Sequence, residues 1–452
     1  MESMAEITHI TTLQLERVVS LKSFWLIIAF LFLVFAFATP YEFDYTVRVP
    51  KVEDMVATAE EGTLGRKLAL PFLGLFGIAV IAGKNRRRLA LNGVLGVAFY
   101  FYVGLAMCSL AWAEDTVLSL RKVVVLGLII LGALGVGAKF SMSEILLYVV
   151  STCGGVMALA LGTELYQDTF LVPTQYSVYQ FSGIMHPNAL SCYVSCFILA
   201  SLASIPKDKK RQWLYLLFIA IGFGFLALSK SRTSFASTVI VGLIIWLPTT
   251  NIKRKFIVFL AIGITACSLG LFFQDKLADK VRSTVLMGRE EEGKADTLTN
   301  RVPLWNECLE YIEQRPWLGY GYDSFWTPHR VFLISQHQGW KIPHSHNGYI
   351  EMLLSLGLIG FALYLTVAVV FCKHALVHYR ETGDSAHLYA LGMIIWLCLE
   401  MMLEKVYMNP VFPSFVCNLM LTRYAFVKDE EYSLVVTTTL ENSAADEVLA
   451  EC

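Results

Sequence analysis

The chain is 452 residues long, 56% hydrophobic and only 16% charged, with a formal net charge of −1. A soluble protein is typically about 45–50% apolar and about 25% charged, so this composition is that of an integral membrane protein, and the balanced charge argues against nucleic acid as a partner. The ten cysteines are scattered, mostly through apolar runs, without CxxC or zinc-site spacing, so neither a disulfide framework nor a metal site is readable.

Residues 1–21 are read as a cytoplasmic N-terminal segment. Arg17 and Lys22 then precede an apolar run ending Ala36-Phe37-Ala38, which has the form of a leader-peptide cleavage site. Because the run reaches Pro40 and many further spans follow, a retained first helix is expected. Runs long enough to cross a bilayer need roughly 17–25 residues. Candidates lie near 22–39, 68–83, 89–111, 120–138, 142–162, 188–205, 213–229, 232–248 and 256–273, and then at 348–372, 386–403 and 410–426. The expected fold is an all-α polytopic membrane protein of about twelve transmembrane helices, since each helix satisfies its own backbone in lipid.

Charge orients the spans. Lys84-Asn85-Arg86-Arg87-Arg88, the 207–211 cluster, Lys253-Arg254-Lys255 and the 373–380 segment all fall on one side in this count. Excess positive charge marks the cytoplasmic side. Nine spans would thus fill 22–273, a large extracytoplasmic loop containing short helices 274–347, and three spans 348–426. The acidic, Thr/Ser/Ala-rich tail 427–452 reads as disordered and cytoplasmic.

Within the large loop the charged start, 275–299, reads as mobile. Val302, Trp305, Leu309 and Ile312 then recur at helical spacing against Asn306, Glu307, Glu310 and Glu313. Arg315-Pro316-Trp317-Leu318-Gly319-Tyr320-Gly321 stops that helix, which is expected to lie on the membrane surface with Trp305 and Trp317 at the interface. The interval closes on Pro343-His344-Ser345-His346-Asn347-Gly348-Tyr349-Ile350-Glu351, a histidine pair at the mouth of an apolar helix. Polar groups entering hydrocarbon are costly, so this is the first place to seek chemistry.

Weaker candidates are His186 with Asn188 at the start of the sixth span, and Glu400, Glu404 and Lys405 near the outer end of the eleventh. Glu114-Asp115, just outside the third span, reads better as a helix cap than as a cation or sugar site. No Asp-x-Asp pair suited to a metal and a nucleotide-sugar is present.

Three elements together resemble the O-antigen ligase / O-antigen polymerase superfamily: Asn300-Arg301-Val302-Pro303-Leu304-Trp305, the 315–321 element, and His344-Ser345-His346-Asn347 with the apolar 353–360 after it. Ser229-Lys230-Ser231-Arg232-Thr233 resembles the family's Ser-Arg element at an outer helix end. The likeness covers about 191–370; the N-terminal spans agree in layout only. It implies an enzyme of the bacterial inner membrane, without metal or cofactor, moving a glycan from an undecaprenyl-diphosphate carrier to a lipid A–core or other acceptor. It implies His346 as the catalytic base and Arg232 and Arg301 as ligands of the donor diphosphate. His186, Asn188, His344, Asn347 and Glu400 are candidate substrate contacts, with Lys341 and Arg330 as further basic residues. A polymerase extending a surface polysaccharide shares these elements and is the alternative. A protein-glycosylating transferase is a further one, and a polysaccharide or lipid transporter, which would show two related halves, ranks last.

Overall fold

The computed structural model describes residues 23–37, 64–83, 86–172, 179–251, 298–340, 342–407 and 410–428. Their helices are α1 (Ser23–Phe37), α2 (Leu64–Ala82), α3 (Gly93–Cys108), α4 (Thr116–Lys139), α5 (Met142–Tyr166), α6 (Pro187–Ser204), α7 (Gln212–Ser229) and α8 (Arg232–Thr249). After the interval come α9 (Leu298–Gln314), α10 (Pro328–Gln338), α11 (Gly348–Thr382), α12 (Ser385–Glu400) and α13 (Phe412–Phe426). A two-residue antiparallel ladder, β1 (Arg88–Leu89) with β2 (Val427–Lys428), is the strand content among these residues.

The protein is an all-α polytopic membrane protein. Among the described residues, eight helices are long and apolar enough to cross a bilayer: α2 to α8, with α3 and α7 extended by short 3₁₀ turns, and α11. The shorter apolar α1 and α12 lie on predicted spans as well, as does the 15-residue α13. Each of the predicted spans thus meets a helix except 256–273, which lies outside the described residues together with Lys253-Arg254-Lys255, the charged 275–297 stretch, the 1–21 segment and the tail beyond Lys428.

Side-chain contacts sort the connections into two ends. Lys207, after α6, pairs with Asp384, before α12, at 2.6 Å. Arg87 donates to the carbonyl of Lys139 at 3.1 Å, and β1 pairs with β2. The basic connections that are described therefore gather at one end of the bundle. At the opposite end the turns after α3 and α12 meet the starts of α6, α8, α10 and α11.

α11 departs from the straight span expected at 348–372. Gly357 takes φ 62° and ψ −163°, which breaks the helix in two. Four backbone groups around the break are claimed by the segment that the sequence marks as a helix stop. The amides of Tyr320 and Gly321 donate to the carbonyls of Leu354 and Ser355 at 2.8 and 3.0 Å, and the amides of Leu358 and Ile359 donate to those of Pro316 and Trp317 at 2.8 and 3.3 Å. A broken helix at membrane depth is tolerated only with such partners. The approach is too close for side chains: a Cβ on Gly319 would sit 2.6 Å from the Leu354 carbonyl oxygen, and one on Gly357 2.4 Å from that of Trp317. Beyond the predicted end at 372, α11 continues through a charged, partly exposed turn to Gly383, whose left-handed conformation caps it.

The helix expected over the loop exists as α9, but it turns a different face inward. Leu304, Cys308 and Ile312 are buried in a small second core with Tyr320, Phe325, Ile334, Ile342, Ile350 and Leu354, whereas Val302 and Leu309 are 47% and 45% exposed. The packing partner is the first half of α11 with the 320–325 turn, and this tertiary surface selects the i, i+4, i+8 stripe starting at Leu304.

Candidate active site

The site is built on the turn into α11. Asn347 caps that helix, its Oδ1 accepting from the amides of Tyr349 and Ile350 at 3.0 and 3.1 Å. Its Nδ2 donates to the carbonyl of Met402 at 3.2 Å, the Gly348 amide donates to Met401 at 2.7 Å, and Arg301 donates to Leu403 at 2.7 Å. Three consecutive carbonyls after α12 are thus taken by two predicted site segments, which locks the α9 start, the histidine turn and the 401–405 turn together.

His346 sits at φ 53°, a left-handed conformation that costs a non-glycine residue of order 1–3 kcal/mol. Its ring lies between Trp340, at 5.7 Å between centroids, and His344, at 4.2 Å. Both ring nitrogens are buried and have no hydrogen-bond partner among the described residues. His344 instead closes the turn: its Nδ1 accepts from the His346 amide at 3.2 Å. Burial, then the neighbouring His346, Lys405 and Arg301, push its imidazole well below the ordinary histidine range, so it is neutral.

Opposite His346 stands Glu404. Its Oε1 accepts from Asn188 Nδ2 at 2.9 Å and faces Arg301 at 3.7 Å, and its Oε2 lies 3.9 Å from His346 Nδ1. Burial alone would raise this carboxyl. His346, Arg301 and His186 more than offset it and hold Glu404 below the usual carboxylate range. His186 caps α6 through Nδ1, which accepts from the Asn188 amide at 3.3 Å.

Beneath this layer is a buried ion network. Lys405 Nζ binds Asp323, and Glu351 Oε2 at 3.2 Å; Asp323 also takes Lys122 at 2.9 Å. Glu351 further accepts from the Ser345 amide at 2.6 Å and from Trp326 Nε1 at 2.8 Å, and the Ser345 carbonyl receives Trp305 Nε1 at 2.9 Å. Burial opposes both charges, yet Asp323 and Glu351 hold the Lys405 ammonium above the ordinary lysine range, while Lys122 and Lys405 hold Asp323 well below the ordinary carboxylate range. Each ion is compensated, as the interior requires.

Of the predicted residues, His346, Arg301, Asn188, His186, His344 and Asn347 come together here. Glu400 is turned away: it is 1% exposed, and its carboxylate accepts from Ser237 at 2.6 Å and Ser234 at 3.3 Å of α8. Arg232 begins α8 at the same end of the bundle; it is exposed, with no ion pair or hydrogen bond among the described residues. Asp115 caps α4, and Glu114 pairs with Arg330 at 2.7 Å. Arg330 also lies over the Tyr311, Tyr320 and Phe325 rings, so it is committed to the small core, and Lys341 lies outside the described residues. Sequence reasoning gave no role to Glu351, Asp323 or Lys122, and had Glu404 and Lys405 as weaker candidates with an interfacial charge as the alternative. Adjacent glutamate and lysine side chains at the end of an apolar run were the signal available.

Residues 216–365, which run from α7 through the break in α11, match the profile of the O-antigen ligase family. That third of the chain is similar to the O-antigen ligase family. It is 24% identical over 282 residues to a general O-oligosaccharyltransferase of Acinetobacter baylyi, covering 59% of this chain and 48% of that one. It is 34% identical over 118 residues to the exopolysaccharide production protein ExoQ of Rhizobium meliloti, 23% of this chain and 26% of the relative. To an O-antigen ligase of Pseudomonas aeruginosa it is 24% identical over 152 residues, 34% and 32% of the two chains. The chain thus spans about half or less of the length of these curated relatives.

Proposed function

We propose that this protein transfers a glycan from an undecaprenyl-diphosphate carrier to an acceptor hydroxyl on the outer face of the bacterial cytoplasmic membrane. The observation that carries this reading is His346, held in a strained turn with neither ring nitrogen hydrogen-bonded among the described residues, beside Arg301 and Glu404 in the family-matched region. In the proposed reaction the acceptor oxygen bonds to the anomeric carbon as the bond to the diphosphate oxygen breaks. The diphosphate leaves with the bonding pair, and His346 Nε2 takes the hydroxyl proton. Imidazole suits this because it ordinarily titrates near neutrality. Arg301 and Arg232 supply positive charge to the leaving diphosphate through planar forks that match phosphate oxygens. The basic end of the bundle is then cytoplasmic, which puts His346 outside.

The direct test is release of undecaprenyl diphosphate from an undecaprenyl-diphosphate-linked oligosaccharide, with glycan appearing on the acceptor. Turnover is expected to persist undiminished in excess EDTA. A requirement for Mg²⁺ or Mn²⁺ would show that an ion supplies the charge assigned here to arginine.

Lysine is a compact point charge and cannot copy a bidentate fork. Arg301→Lys and Arg232→Lys are therefore expected to impair turnover nearly as much as the alanine variants. The double variant should lose less than the sum of the two single losses, because one donor site is already broken. Full activity in the double lysine variant would make both residues ordinary interfacial charges.

A second reading keeps the donor chemistry and makes a growing surface polysaccharide the acceptor; the likeness to ExoQ favours it. Deleting the gene separates the two, since loss of a ligase leaves long unattached chains and loss of a polymerase leaves single repeat units.

A further inference from the structure

We propose that Glu404 is the positioning residue of His346, holding its ring by an Nδ1–H to Oε2 contact so that Nε2 faces the acceptor. This rests on the reading of His346 given above and adds to it a partner, a tautomer and a direction.

The two oxygens of Glu404 are divided between tasks. Oε1 is occupied by Asn188 at 2.9 Å and faced by Arg301 at 3.7 Å, which leaves Oε2 for the imidazole, 3.9 Å away. Closing about an ångström of that gap brings the pair within hydrogen-bond range, and such contacts commonly tighten when substrate binds. A proton fixed on Nδ1 makes Nε2 the base, and the carboxylate then stabilises the imidazolium formed when the proton arrives.

The surrounding bonds close into a ring that fixes both partners. Lys405, next to Glu404, binds Glu351 at 3.2 Å; Glu351 accepts the amide of Ser345 at 2.6 Å; and Ser345 precedes His346. The ring ties the two backbone segments together and leaves the two side chains to close the remaining gap, and it also explains how a left-handed histidine is maintained.

The experiment uses the full-length protein in membranes of the producing strain, with an undecaprenyl-diphosphate-linked oligosaccharide as probe and release of undecaprenyl diphosphate as readout. Glu404→Gln keeps the shape and removes the charge; turnover is expected to fall about 10²-fold or more. A carboxylate beside the ring favours its protonated form, so removing the charge should move the acid limb of kcat/KM to lower pH. Asn188→Ala leaves the charge but frees Oε1, and a smaller loss of about tenfold is expected, roughly the worth of one hydrogen bond to a charged group. The His346→Ala/Glu404→Gln double variant should be no slower than His346→Ala alone, since residues acting as a unit are not additive.

Wild-type turnover in Glu404→Gln overturns the proposal, as does a loss at all pH values with the acid limb unmoved, which a structural role would give. A double variant slower than His346→Ala also overturns it. An active His346→Ala variant removes the base itself, and the pairing with it; an inactive one beside a normal Glu404→Gln removes the pairing alone.

Discussion

His346→Ala is expected to lower glycan transfer by about 10²- to 10⁴-fold, the usual value of a positioned general base, while the protein inserts and accumulates as the wild type does. The separation of the two effects follows from the geometry. The ring nitrogens have no hydrogen-bond partner among the described residues, so truncation orphans no donor or acceptor. Glu404 keeps Asn188 and Arg301. His344→Ala should be milder for activity, because that ring is neutral and its Nδ1 is spent on the turn. Assay of both purified variants decides the matter: near-normal transfer by His346→Ala, or a larger loss in His344→Ala, would mean that another group takes the proton.

The second large effect concerns stability. Lys405→Met should remove most of the folded protein from the membrane, because it strips the shared cation from two carboxylates that are 5% and 2% exposed. Breaking a buried ion pair from one side typically costs about 3–5 kcal/mol. Removing a charge from the other side as well, in Lys405→Met with Glu351→Gln, should restore part of the loss, since the amide can still accept from Ser345 and Trp326. Asp323 retains Lys122 in either case. Membrane abundance and thermal unfolding in detergent measure this. A Lys405→Met protein that melts with the wild type would mean that water, not Lys405, compensates these carboxylates.

Much of the architecture was legible because bilayer thickness imposes a length on every span, and hydropathy registers length directly. The ends of α5, α7 and α8 lie close to the apolar runs 142–162, 213–229 and 232–248 for that reason. The break at Gly357 was not legible. Nothing in the apolar 348–372 run announces it, because its cause is the segment 316–321, which supplies the missing backbone partners. The buried face of α9 was misassigned similarly: Val302 and Leu309 are as apolar as Leu304, and only the position of α11 decides between them. In the site, the histidine turn stood out as polar residues at an apolar mouth. Of its supports only Lys405 did, as a weaker candidate, because Asp323 and Glu351 are far from it in sequence and a charge at a helix end resembles any interfacial charge. Glu400 illustrates the converse: an intramembrane carboxylate draws attention, yet its partners are serines of α8.

The break in α11 also bears on how the chain is made. A continuous hydrophobic helix can enter the bilayer with its own backbone satisfied, but this one leaves two carbonyls and two amides open at membrane depth until residues 316–321 reach them. Those residues emerge from the ribosome first, so they must wait at the membrane surface as the following span arrives. Closing the break therefore requires that segment to dock, and substitutions at Gly319 or Gly357, which leave hydropathy almost unchanged, are expected to act on that closure rather than on insertion.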